Sequence, residues 1–344
     1  MSQIIAVGDV NVDLISHFPS YPAKGQDALA TSTAVHCGGS AANTAIALSQ
    51  MGFEVLLISR VGSDPLAAKA VERLEGAGVA LTGLQRDPVA MTGLMYIVVT
   101  PDGERTILGH RGANMLTDPA QIPQEDVQQA ELLHLSGYAL LSEPQRSAAL
   151  FTLATARTHG VSVTLDPGMS LPRDALNELR TLLPVLDVLM PNHIEAQRLT
   201  GATSPTHCAE RLLEAGVAAV ALKLGRDGCL IGDAEGLTYI PAFAVDACDS
   251  TGAGDAFAAG IIAGCVGDLS WPSVGTLGNA LGAMAASRVG ADMPVPTAQE
   301  LLELLYRYAD RELPEPIEHA AQETMTFVER LMRRPEEEGK RWWK

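Results

Sequence analysis

The stretch STGAGDAFAAG at residues 250–260 sets three small residues, Gly252, Ala253 and Gly254, directly ahead of a carboxylate, Asp255, and an alanine-rich apolar run. Glycines let backbone N–H groups approach a ligand with no Cβ in the way. Residues 256–267 read as a buried helix, and the first turn of a helix presents unpaired N–H donors at the positive end of its dipole. Such a start binds anions. An acid there would repel the anion, unless the carboxylate serves a different reactant, such as a hydroxyl that attacks a bound phosphate. Taken alone, the segment also suits an ordinary capped helix with an acid in its first turn.

A second glycine-rich element, CGGSAANTAIALSQMG at 37–52, places Gly38 and Gly39 before a helix that carries Asn43 early. Asn11 and Asp13 follow the first strand at its C-terminal end, where ligands of open α/β sheets collect. A carboxylate with the two amides of Asn11 and Asn43 suits vicinal sugar hydroxyls, while an aspartate such as Asp13 taken by itself is more often a turn or capping residue. In MPNHIEAQRLTG, Asn192 and Glu195 are three apart and share a helical face, the spacing of a capping box. KLGRDGC ends a strand with Lys223, which faces a phosphate or solvent, and with Gly225 and Gly228, which permit a close turn.

The Gly38-Gly39 element with Asn43, and DSTGAGDAF far downstream, together resemble the ribokinase, or PfkB, family of carbohydrate and nucleoside kinases over roughly residues 3–308. The resemblance implies an ATP- and Mg²⁺-dependent phosphotransferase with Gly252, Ala253 and Gly254 as anion hole and Asp255 as catalytic base. It implies substrate contacts at Asp13, Gly39 and Asn43, joined by Asn11 and Gly38, with Glu143 either reaching substrate or standing as a solvated loop acid. The family's N-x-x-E element falls on Asn192, on the nucleotide side, and Glu195, which meets Mg²⁺ through water. Lys223, Gly225 and Gly228 fall in the nucleotide loop. Asn279, on the helix beside the adenine, is nearest the base or is a satisfied helix-face amide. Asp249, with the turn at 288–291, falls where potassium-activated members bind a monovalent cation. The family frequently has a lysine where Ser40 stands, and its absence removes one cation from the sugar pocket.

Elements must bring these residues together. Apolar strand-like runs alternate with helical periods joined by short connections, which predicts a doubly wound, mostly parallel sheet flanked by helices, the ribokinase-like α/β arrangement. Residues 16–37 and 91–111 contain β-like runs and no helix, so they leave the main sheet as a small β lid over the site and meet a second subunit in a homodimer. The kinase domain runs through 1–311, and 312–344, with its prolines, glutamates and terminal KRWWK, is a separate helical and charged tail packed on the surface.

Composition narrows the function classes. With 47% hydrophobic residues but only 4% aromatic, and 32 glycines, the core is built from Ala, Val, Leu and Ile. A net charge of −17 argues against a nucleic-acid backbone or an anionic membrane as partner. Five widely spaced cysteines with no C-x-x-C pair, and an N-terminus without a basic, long apolar leader, predict a reducing cytoplasm. The nearly uncharged 256–287 stretch is broken by Asp268, Pro272 and Asn279 and reads as two buried helices. The histidines show no zinc-ligand spacing. A dinucleotide-dependent oxidoreductase is disfavoured because Phe257 stands where G-x-G-x-x-G requires a small residue, and no Walker A sequence is present. A non-catalytic sugar sensor would have no use for Asp255. The expected acceptor is an unphosphorylated furanose, with a nucleoside as the alternative: Met95 or Ile97 of the lid faces it, and Arg111 is the one lid cation suited to a phosphate.

Overall fold

The computed structural model describes residues 3–168, 172–288 and 296–333. From the N-terminus, β1 (Gln3–Val7) leads to β2 (Asn11–His17), β3 (Ser32–Gly38), α1 (Ser40–Gln50), β4 (Glu54–Gly62), α2 (Pro65–Ala77) and β5 (Leu84–Asp87). The hairpin of β6 (Gly93–Val99) and β7 (Arg105–His110) precedes α3 (Gln124–Gln129), β8 (Leu132–Ser136), α4 (Gln145–Thr158), β9 (Ser162–Asp166), α5 (Arg173–Leu182) and β10 (Val188–Leu189). Then come α6 (His193–Thr200), α7 (Pro205–Glu214), β11 (Ala219–Lys223), β12 (Gly228–Asp233), β13 (Gly236–Pro241), α8 (Ala253–Val266), α9 (Trp271–Ala286), α10 (Ala298–Ala309) and α11 (Glu315–Met332).

The main sheet has nine strands in the order β13-β12-β11-β10-β9-β8-β1-β4-β5, all in one direction except β12, which is antiparallel to both its neighbours near one edge. Its central strands are continuous apolar runs because both faces are covered. One face packs on α1, α2 and α8–α11, the other on α4–α7. The alanine- and glycine-rich α8 and α9 are held close by small residues: a Cβ on Gly260 would lie 2.7 Å from the Gly278 backbone. No helix among the described residues is long and apolar enough to cross a membrane.

Four strands form a second sheet, β3-β2-β6-β7. The apolar run IIAVGDVNVDLI is divided: β1 stays in the main sheet and β2 crosses into the lid. The lid therefore begins at Asn11 rather than near residue 16, and β2 pairs in parallel with β6 along its whole length. The edge strand β5 and the β12–β13 hairpin close the two ends of the main sheet, and helix α7 starts on a Ser204 cap followed by Pro205. The helix predicted over 256–267 begins three residues earlier, so Asp255 sits in its first turn. The helix of the C-terminal tail is α11, and it does more than lie on the surface: Ile317, Ala321, Phe327, Val328 and Leu331 are buried in the same core as α9 and α10. Residues 334–344, with the KRWWK end, lie outside the described residues.

Candidate active site

The parallel strands end on one side of the sheet, and there the polar residues gather. Gly252 caps α8 in the left-handed conformation (φ 73°), and Ala256 N donates to Gly252 O at 2.8 Å. The amides of Gly254 and Asp255, ahead of that bond, have no backbone partner among the described residues, whereas Ala253 N turns back to Ser250 O at 3.2 Å. Both carboxylate oxygens of Asp255 are held from α1: Ser40 Oγ donates to Oδ1 and Asn43 Nδ2 to Oδ2, each at 2.8 Å. Gly39 makes this possible, for at φ 102° a Cβ would fall 2.3 Å from Asp9 O. Burial pushes the Asp255 pKa up to about 6; the bonds from Asn43 and Ser40 oppose the rise, Asp166 adds to it and Lys223 counters it.

Asp13 faces Asp255 from the lid. On β2 it is paired in register with His36 on β3 and Met95 on β6, so the three share a face. Its carboxylate lies against Gly38, where a Cβ would come within 2.2 Å, and its buried Oδ1 has no hydrogen-bond partner among the described residues. Its pKa rises to about 6, first through burial and then through Asp255, with His36 acting in the opposite direction. Asn11 and Asp13 thus reach the site on a lid strand, not from the end of the first strand of the main sheet. Asn11 Oδ1 accepts from Asn114 Nδ2 at 2.9 Å, which leaves its amide nitrogen as the donor it can offer. Asn114, fully buried, also bonds Val10 N and O and Arg111 O, tying the lid base to the sheet.

A charged cluster adjoins the anion hole. Lys223, at the end of β11, meets Asp166, at the end of β9, at 2.6 Å. A Cβ on Gly254 would be 3.8 Å from Lys223 Nζ, so the ammonium lies beside the first turn of α8. Asn192 and Glu195 form the capping box of α6, with Asn192 Oδ1 accepting Glu195 N at 2.9 Å and Glu195 Oε2 accepting Asn192 N at 2.7 Å. Glu195 is nonetheless buried next to Asp166, and burial followed by that neighbouring charge holds its pKa well above the usual carboxylate range. Asp166 escaped sequence reading, although its place at the end of VSVTLD was the available signal.

Other candidates are engaged elsewhere. Arg111 spends its guanidinium on both oxygens of Asp9 at 2.7 Å and on Tyr138 O at 2.8 Å, so it is not the free lid cation that the sequence suggested. Glu143, half exposed, binds Arg146 and Ser147 at the start of α4. Asn279 Nδ2 donates to Ile240 O at 3.0 Å and Pro241 O at 3.3 Å. Gly225 lies in an open turn, and Gly228 packs against the β13 backbone. Asp249 is paired with Arg105 of β7 and accepts Thr251 N at 2.7 Å; of the neighbouring turn at 288–291, residues 289–291 lie outside the described residues.

A family model described as pfkB family carbohydrate kinase matches residues 1–298. An ATP-dependent ribose-1-phosphate kinase from Halopiger xanaduensis is 33% identical over 308 residues, spanning 89% of this chain and 98% of that protein. A ribokinase from Haemophilus influenzae is 28% identical over 309 residues, 88% of this chain and 98% of its own. Among solved structures, an Arabidopsis thaliana ribokinase complexed with ribose and ATP aligns with a TM-score of 0.76 at 24% identity, over 88% of this chain and 98% of that one, a likeness of fold.

Proposed function

The chain belongs to the pfkB family of carbohydrate kinases, which are phosphotransferases acting on sugars or nucleosides, and we propose that it moves the γ-phosphoryl group of ATP to a primary hydroxyl of an unphosphorylated furanose, ribose-like or fructose-like. The observation that carries this reading is the pair Asp255 and Asp13: one carboxylate oriented by Ser40 and Asn43 in the first turn of α8, the other offering a buried, unpartnered oxygen from the lid. Asp255 takes the acceptor proton as the new O–P bond forms. Asp13 Oδ1 and the Asn11 amide nitrogen hold neighbouring hydroxyls in place. The first-turn amides of Gly254 and Asp255, with Lys223 beside them, receive the phosphoryl oxygens.

The residues present suit a hydrated Mg²⁺. The donors near Lys223 are oxygens, Glu195 and Asp166, and among the described residues no three His, Cys, Asp or Glu side chains are grouped to hold a metal directly. Glu195 would then reach the ion through water, with Asn192 fixing the helix start. When bound, the ion supplies charge neutralisation at the nucleotide phosphates.

Two features weigh against a phosphorylated acceptor, the substrate named for the Halopiger relative. Arg111 is neutralised by Asp9, and Asp13 and Asp255 would face an incoming dianion with like charge. Nucleosides are the second reading, because Met95 shares the face of Asp13 and could cover a base. Steady-state assays with ATP and ribose, fructose, inosine or ribose 1-phosphate test the assignment. The highest kcat/KM is expected for a free sugar; inosine in first place selects the second reading, and a preference for ribose 1-phosphate overturns the acceptor assignment.

A further inference from the structure

Arg105 opens β7 at the far end of the lid, paired in register with Val99 of β6. Its guanidinium nevertheless ends in the core domain, on Asp249 Oδ1. The same oxygen accepts Thr251 N at 2.7 Å, which folds residues 249–251 into a turn immediately before Gly252. From behind, the loop is anchored on α9, where Cys248 N and Asp249 N both donate to Ala286 O, at 2.8 and 3.1 Å. The turn that launches α8 is therefore gripped on one side by the main domain and on the other by a lid residue. Both side chains of the ion pair are largely buried, at 25% and 17% exposure, so solvent screens the pair less than a surface bridge.

We propose that Arg105 is a positioning residue that couples acceptor binding to the phosphate site: an ordered lid brings Arg105 onto Asp249, and this sets the turn from which the anion-hole amides project. The inference rests on the kinase reading of the site. Two physical effects act together. The ion pair fixes the carboxylate that orients Thr251 and Gly252, and it sets a positive charge beside the loop that meets an incoming triphosphate. A sugar that orders the lid then strengthens nucleotide binding, and linkage requires nucleotide to strengthen sugar binding by the same factor.

The experiment measures the Kd of the Mg²⁺ complex of a non-hydrolysable ATP analogue by calorimetry, with and without saturating D-ribose or D-fructose, in the wild type, R105A, R105K, D249N and the double variant R105A/D249N. The wild type should show a coupling factor of roughly fivefold or more. R105A and D249N should each bring it close to one, R105K should restore part of it, and the double variant should be no worse than the more damaged single variant. R105A should also lower kcat about tenfold while leaving the analogue's Kd without sugar within about twofold, a split that general loss of folding would not produce. An unchanged coupling factor in R105A, or additive losses in the double variant, overturns the role of Arg105. A wild type that phosphorylates no acceptor would instead count against the kinase reading.

Discussion

Asp255 is oriented by side chains that lie far from it in sequence. Ser40 and Asn43, one helical turn apart on α1, hold both its oxygens, so the acid points into the cleft rather than back onto its own helix. Asp255→Asn keeps the shape and the bond from Ser40 but cannot accept a proton. It is expected to retain the fold by circular dichroism and to lower kcat by at least about 10²-fold, the lower range for lost base assistance; near-normal turnover in a folded variant would exclude the role. The base works only when ionised, and its pKa is raised to about 6. Activity should therefore rise with pH through about 6 and level off above it. Asp13 titrates in the same range, and its protonation would turn the waiting acceptor into a donor. Asp13→Asn should keep the acid limb of its residual activity if Asp255 owns that limb.

The lid is one sheet made of two separate sequence segments. The parallel pairing of β2 with β6 joins the N-terminal strands to the β6–β7 hairpin, and Asn114 at the base ties β2 to the segment that follows β7. A unit built this way moves together. Acceptor binding should slow amide exchange across residues 11–17, 32–38, 93–99 and 105–110 in parallel, as read by hydrogen-exchange mass spectrometry. Protection confined to one hairpin would contradict the single-lid description.

At the scale of the molecule, the same sheet leaves two open edges, β3 and β7, and exposes Val35 at 44%, Leu108 at 54% and Ile107 at 61%. Unpaired edges with apolar side chains favour association, and we expect a homodimer that covers them. Sedimentation equilibrium should give twice the 36.2 kDa chain mass at micromolar concentration; a monomeric mass would remove this expectation. At the opposite end of the chain, α11 adds Phe327 and Leu331 to the core beneath α8 and α9.

Much of this was legible in sequence because it depends on local chemistry. The Gly-Ala-Gly-Asp order makes a helix start with an acid in reach, alternating apolar periods make strands and helices, and Asn192 with Glu195 makes a capping box wherever the helix lies. Which polar groups remain available is a different matter, since it depends on partners distant in the chain. Arg111 looked free until Asp9 closed on it. Asp166 drew no notice until folding set Lys223 against it. The division of the first apolar run between two sheets is equally non-local, because β2 is drawn into the lid by pairing with β6, some eighty residues on. Local sequence determined the kinds of chemistry on offer, and tertiary contact decided which charges were neutralised and which were left facing the cleft.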